Sequence, residues 1–249
     1  MDALHIAGLF GVALLAGGID AVAGGGGLLT VPALMMTGLP MPQVLGTNKG
    51  QSVFGAGAAL VGFWRAGRIE RARVPALFGA AALGALGGAA AVGLVPRDWL
   101  RPIALALLVA AAAFVTFRPS LQPGSSAIRH PQRRLIAIAL AIGAWDGFFG
   151  PGTGTFLIVA LVGWLGDDLT RASAHAKVAN FASNLATLCW FAADGAVRWE
   201  LALPMAAGQA LGGTIGARLT LRGGDALVRS AVLVVVVALV VKIAANWAR

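Results

Sequence analysis

Twice in this chain an aspartate and then a glycine cluster interrupt an apolar segment, and few folds can absorb such a break. Residues 16–32 read AGGIDAVAGGGGLLTVP and residues 143–159 read GAWDGFFGPGTGTFLIV. An offset of 126 lays Asp20 on Asp146, Gly24 on Gly150 and Gly26 on Gly152. Farther along, an offset of 128 lays GTNKGQSVFG (46–55) on AHAKVANFAS (174–183). It pairs Lys49 with Lys177, Ser52 with Asn180, Phe63 with Phe191, Gly84 with Gly212 and Gly88 with Gly216. Self-similarity over nearly the whole length reads as an internal duplication. The first copy is expected over 1–117 and the second over 135–249, joined by a Pro-, Ser- and Arg-rich linker at 118–134.

Composition decides the solvent. Of 249 residues, 58% are hydrophobic and only 12% charged, with a mean hydropathy of +0.82, whereas a soluble domain carries about a quarter charged residues. Apolar stretches of about 20 residues, enough to cross a bilayer as a helix, recur along the chain. The net charge of +9 sits in short gaps between these stretches and not in a patch interleaved with aromatics, so nucleic acid is not the expected partner. The single cysteine, Cys189, forms no disulfide framework or metal cluster and reads as a buried packing thiol. The start, MDALHIAGLFGVALL, lacks a basic leader region and reads as a first membrane helix, not a signal peptide.

The expected architecture is an all-α polytopic membrane protein of two homologous halves. Each half begins with a broken or re-entrant helical hairpin and continues with three transmembrane helices. The first hairpin is expected as a helix at 3–16 and a short piece at about 28–38, too short to cross. Helices follow at about 43–64, 74–94 and 101–117. The second half repeats the plan with a hairpin at 135–166 and helices at 170–192, 199–218 and 225–246. Irregular backbone at membrane depth survives only where protein or a water-filled cavity covers it. Three crossings per half make the halves inverted repeats, a plan common among secondary transporters. Inversion also gathers the loops at 65–73, 118–134, 166–171 and 218–229, with most of the basic loop residues, on the cytoplasmic side; parallel halves separate the charges slightly less well.

The residues that can carry chemistry cluster at the repeated motifs. Lys49 and Lys177 fall inside apolar helices, where an ammonium costs at least about 2.5 kcal/mol and therefore faces a partner or a cavity. Two kinds of partner are open: Asp20 and Asp146, equally misplaced in an apolar setting, or an anionic substrate. Backbone amides at Gly24, Gly25, Gly26 and Gly27 and at Gly150, Gly152, Thr153 and Gly154 suit a small oxyanion, because short helices begin there and no Cβ blocks the approach. Asn48, Gln51 and Ser52 in one copy, and Asn180 and Asn184 in the other, share a helical face with the lysines and can line a path or glue helices together. His175, at the position of Thr47, is a candidate for proton coupling or for a structural hydrogen bond, as are Asp20 and Asp146. No cofactor, metal site or enzymatic motif is expected: the chain has no HExxH, no nucleophile elbow and no P-loop.

GGIDAVAGGGGLLTVPAL, GTNKGQSVFG, WDGFFGPGTGTF and AHAKVANFASN, in this order and spacing, resemble the sulfite exporter TauE/SafE family, also called the toluene sulfonate uptake permeases. The resemblance extends over essentially the whole chain. It implies a multi-pass protein of the bacterial cytoplasmic membrane that moves sulfite, sulfonates or related sulfur-containing anions. The partners it implies are a small anion and membrane lipid, with homo-oligomerisation left open. The other reading is an anion channel or a non-transporting assembly partner.

Overall fold

A computed structural model describes residues 3–117 and 130–247, and these are helical, with short connections. In chain order the helices are α1 (Ala3–Ala23), α2 (Gly27–Met35), α3 (Met41–Arg65), α4 (Val74–Leu94), α5 (Arg97–Phe117), α6 (Pro131–Phe148), α7 (Thr153–Leu165), α8 (Leu169–Ala193) and α9 (Trp199–Trp247). A 3-10 turn, Arg71–Arg73, leads into α4.

The burial pattern is that of a chain turned outward to an apolar solvent. Leu15, Leu83, Leu203 and Leu211 are exposed, while Lys49 and Lys177 are 1% and 0% exposed. Two described stretches, Ala3–Ala23 at mean hydropathy 2.0 and Arg71–Leu94 at 1.8, are long and apolar enough to cross a membrane. Thr153–Leu165 is apolar but shorter than a span. Helices α3 and α8 have the length, at 25 residues each, but carry the buried polar residues of the site.

Small residues bring the helices together. α1 packs along α9, and α6 along α4. A Cβ on Gly212 or Gly216 of α9 would collide with the Leu14 or Gly18 carbonyl oxygen of α1. On the other side, a Cβ on Gly84 or Gly88 of α4 would collide with the Leu140 or Ala144 carbonyl oxygen of α6. In lipid no hydrophobic drive joins helices, so backbone contact through glycine supplies the packing that larger residues would prevent.

α3 and α8 run antiparallel between these pairs. The chain following α3 meets the start of α8, where the Glu70 N–H donates to His175 Nε2 at 3.1 Å. The chain following α8 meets the start of α3, where the Arg198 N–H donates to Thr47 Oγ1 at 3.0 Å. Each of these helices therefore carries, near its N-terminal end, an acceptor for the loop that leaves the other.

Several expectations change. α1 runs on to Ala23 through Gly17 and Gly18, because its glycines lie against α9 and are not a break. The loop expected at 218–229 is helical: α9 is continuous from Trp199 to Trp247, and beyond Pro204 no proline interrupts it. Within the expected linker, Pro131–Arg134 already belong to α6, and 118–129 lie outside the described residues. Cys189 is exposed, not buried, because it shares the outward face of α8 with Trp190.

Candidate functional site

The two helix breaks meet each other. Gly24, at φ +80°, ends α1, and Gly150 and Gly152, at φ +98° and +86°, turn the chain from α6 into α7. These left-handed conformations strain any residue with a Cβ. Gly24 lies directly against Gly154, and a Cβ there would overlap the Gly154 backbone. Across the contact the Thr155 N–H donates to Gly24 O at 3.2 Å and the Thr155 hydroxyl to Ala23 O at 2.8 Å. Trp145 holds the second turn from outside, its indole N–H donating to Pro151 O at 3.1 Å.

Both lysines project to this junction. Lys49 is the ninth residue of α3 and Lys177 the ninth of α8, which puts each about 12 Å along its helix. Lys49 Nζ lies 2.8 Å from Asp146 Oδ1 of α6. Lys177 Nζ lies 2.6 Å from Asp20 Oδ2 of α1. Each ion pair thus joins a lysine from one half of the sequence to an aspartate from the other. Of the two partners left open above, the aspartates are in place.

Between the pairs lies a small cavity lined by Asp20, Lys49, Asp146, Ser52 and the amides Asn48, Asn180 and Asn184. Gly24, Gly26, Gly27, Gly150, Thr153 and Gly154 contribute the backbone at its ends. It has about 20 Å³ of room for the centres of water-sized groups, which is space for about one of them. Gly27 and Gly154 stand in the first turns of α2 and α7, where amides lack an intrahelical acceptor. By contrast the Gly26 N–H reaches Asp20 Oδ1 at 3.4 Å, so that amide is engaged.

The neutral side chains are ordered by one another. Asn48 Oδ1 accepts from the Thr30 hydroxyl at 2.7 Å and from Gln51 Nε2 at 2.9 Å. Its own Nδ2 is left for the cavity it lines. Asn184 Nδ2 donates to Asn180 Oδ1 at 2.9 Å, and Asn180 Nδ2 approaches Asp20 at 3.5 Å. Gln51 does not line the cavity; it braces Asn48 and Ser52 from behind.

Lys177, fully buried behind Asp20, and Gly25 and Gly152 also lie outside the lining, Gly152 under the ring of Phe156. One lining residue is not among those expected from the sequence: Gln209 of α9, 3% exposed. No hydrogen-bond partner for its side chain occurs among the described residues, and its Oε1 occupies space that a Cβ on Gly17 or Gly55 would fill. A signal for it exists, since Gln209 is a lone amide in the otherwise apolar run LALPMAAGQALGG.

His175 is elsewhere. It is fully buried at the start of α8, where Nε2 accepts the Glu70 N–H and Nδ1 faces Asp167 Oδ2 at 3.3 Å. The ring proton therefore sits on Nδ1. Arg73 Nη1 donates to both oxygens of Asp167, at 3.0 and 2.9 Å, and Arg171 pairs with Glu70. Burial acts to raise the pKa of Asp167, but the His175 hydrogen bond and the Arg73 charge outweigh it and hold the carboxyl below its usual range. This network ties the loop after α3 to the loop before α8 and has no contact with the cavity.

Residues 9–243 match the family described as sulfite exporter TauE/SafE. The chain is 37% identical over 247 residues to a Sinorhizobium protein named probable membrane transporter protein ORF9, covering 98% of this chain and 94% of that one. It is 36% identical to a probable membrane transporter protein of Haemophilus influenzae, covering 91% and 89% of the two chains. Against the probable membrane transporter protein YfcA of Escherichia coli K12 the identity is 37%, covering 91% and 85%. No solved structure matches. A buried, doubly paired charge cluster at the meeting of two broken helices is thus carried by a chain that belongs to the sulfite exporter TauE/SafE family of membrane transporters.

Proposed function

We propose that the chain is a secondary transporter of small anions in the bacterial cytoplasmic membrane, with sulfite, sulfonates and related sulfur-containing anions as its substrate class. The observation that carries this reading is the pair of lysines, 1% and 0% exposed, held about a third of the way along their helices, Lys49 lining a polar cavity and Lys177 paired to Asp20, which also lines it. An aspartate offsets the burial of each ammonium, and ionisable groups held in this way inside membrane helices mark substrate or ion paths. The first-turn amides of Gly27 and Gly154, and the side-chain amides of Asn48 and Gln209, add neutral donors around them. An oxyanion has the lone pairs to accept from such a set.

Duplication and inversion of the halves fit the same reading. The antiparallel course of α3 and α8, the equivalent caps at Thr47 and His175, and the exchange of lysine–aspartate pairs are what a two-fold axis in the membrane plane produces. Domain limits at 1–117 and 135–249 follow from it. Room for about one water-sized group suits an occluded carrier better than an open channel. Transport, not catalysis, is the inferred activity, since the polar groups pair with one another instead of forming a nucleophile and base.

Thermal unfolding of the purified protein with sulfite, sulfate, sulfoacetate, taurine and chloride tests the site. A ligand of the folded state raises the melting temperature according to its occupancy. Stabilisation by a sulfur oxyanion, lost in Lys177→Met and weakened in Gln209→Ala, is the expected result. No stabilisation by any of them, or an equal effect in the variants, contradicts the assignment.

A further inference from the structure

The two ion pairs look equivalent in sequence, yet their surroundings differ. Asp146 has a side chain 3% exposed and accepts from three donors: Lys49, the Thr153 hydroxyl at 2.9 Å and the Ser183 hydroxyl. Asp20 has a side chain 18% exposed and makes one short bond, to Lys177. Its contacts to Asn180 Nδ2 and the Gly26 N–H, at 3.5 and 3.4 Å, are at the outer limit for hydrogen bonds.

Sequence divergence between the copies accounts for the difference. At the offsets of 126 and 128, Thr153 corresponds to Gly27 and Ser183 to Gly55, so neither hydroxyl exists beside Asp20. The space that a side chain at Gly55 would take is filled by Gln209 Oε1. One carboxylate is fixed by hydroxyls, and the other faces the cavity with a single strong partner.

From this asymmetry we infer that Lys177–Asp20 is the working pair: Asp20, which lines the cavity, takes up a proton as the anion binds, which frees Lys177 behind it to turn to the anion, while Lys49–Asp146 stays closed. The inference rests on the anion-site reading above. Two lysines and two aspartates leave the site formally neutral, and placing an anion beside it in a low-dielectric interior needs a compensating positive charge. A proton on Asp20 supplies it without a new ligand. The titratable groups that face Asp20 are Lys177 on α8, Lys49 on α3 and Asp146 on α6. Among the described residues, α7 and α9 bring to the cavity only neutral groups, Thr153, Gly154 and Gln209. Protonation leaves Lys177 with no full counter-charge, and a monoanion restores neutrality. Proton and anion therefore enter together, and a monoanion crosses with no net charge.

The test is binding of methanesulfonate, whose single charge is fixed across the working range, to the purified full chain at several pH values. Linkage of one proton to one anion makes the wild-type affinity fall about tenfold per pH unit wherever Asp20 is ionised in the free protein. Asp20→Asn is expected to bind with an affinity independent of pH. Asp146→Asn is expected to lower both the melting temperature and the affinity but to keep the slope. A slope that survives Asp20→Asn, or that vanishes only in Asp146→Asn, overturns the inference while the anion site stands. The wild type alone gives a second readout: binding in weakly buffered solution takes up about one proton per anion, and binding without proton uptake overturns the inference as well. If methanesulfonate and the sulfur oxyanions bind the wild type at no pH, the anion site itself fails and this inference falls with it.

Discussion

Lys177 Nζ and Asp20 Oδ2 lie 2.6 Å apart in space and 157 positions apart in sequence. The contact ties α8 to α1, and Lys49 with Asp146 ties α3 to α6 in the same manner. A buried pair of this kind adds little net stability, but removing one partner strands the other and costs about 3–5 kcal/mol. The two pairs therefore act as registers between the halves as well as a store of charge at the site.

That asymmetry of cost is measurable. Lys49→Met is expected to destabilise the protein by about 3–5 kcal/mol, because Asp146 is left charged in a closed setting. Adding Asp146→Asn should recover part of the loss, read as a partial return of the melting temperature in detergent. A double variant no more stable than Lys49→Met shows that the pair does not couple.

Helix packing through glycine gives a second contrast. Gly84→Ala and Gly212→Ala place a methyl against the backbone of α6 and α1, respectively, and overpacking of this kind costs about 1–3 kcal/mol or more. Gly79 and Gly87 of α4 have open space where a methyl would stand, with nothing within 4 Å. Their alanine variants should keep or raise the melting temperature, since alanine is the better helix former by about 1 kcal/mol. Equal losses at all four positions contradict the packing.

Asp167 gives a pH dependence whose sign is fixed. Its folded-state pKa lies below the ordinary value, so the unfolded chain binds the proton more readily. The stability it contributes is present at neutral pH and is lost as pH falls below about 4 and through the folded-state value. Asp167→Asn should lower the melting temperature at pH 7 and make the acid-side decline shallower. An unchanged acid profile contradicts the role given to the Arg73–Asp167–His175 network.

Inversion of the halves has a labelling test. Arg68 follows α3 and Asp194 follows α8, both exposed. Single cysteines at these positions, in a Cys189→Ala background because Cys189 is itself exposed, should react with an impermeant thiol reagent from opposite sides of the membrane. Reaction from one and the same side indicates parallel halves.

Much of this arrangement is readable in the sequence, for physical reasons. Pro, Gly and charge mark the ends of apolar stretches, so α3, α4 and α8 fall close to their expected limits. The lysines and aspartates stand out because ionisable groups in apolar helices are costly. What stays hidden depends on contacts between distant segments. Gly17 and Gly18 lie past the expected end of the first helix yet continue it in contact with α9, and the Gly223–Gly224 stretch reads as a loop yet accepts helical geometry. His175 shares α8 with Lys177 but points to the loop at Glu70. Gln209 stands out as a lone amide, but its place at the cavity is not legible because the elements it meets, α1 and α3, lie far from it in the chain.

The most direct measurement is uptake of radiolabelled sulfite into proteoliposomes under an imposed proton gradient, comparing the wild type with Lys49→Met and Lys177→Met. Accumulation above protein-free liposomes is expected in the wild type, with a fall of at least about tenfold in Lys177→Met, where a charge-assisted contact of about 1.5–3 kcal/mol is removed, and in Lys49→Met, where Asp146 is left unpaired beside the cavity. Wild-type uptake no greater than that of protein-free liposomes, or undiminished uptake in both variants, contradicts the transporter reading.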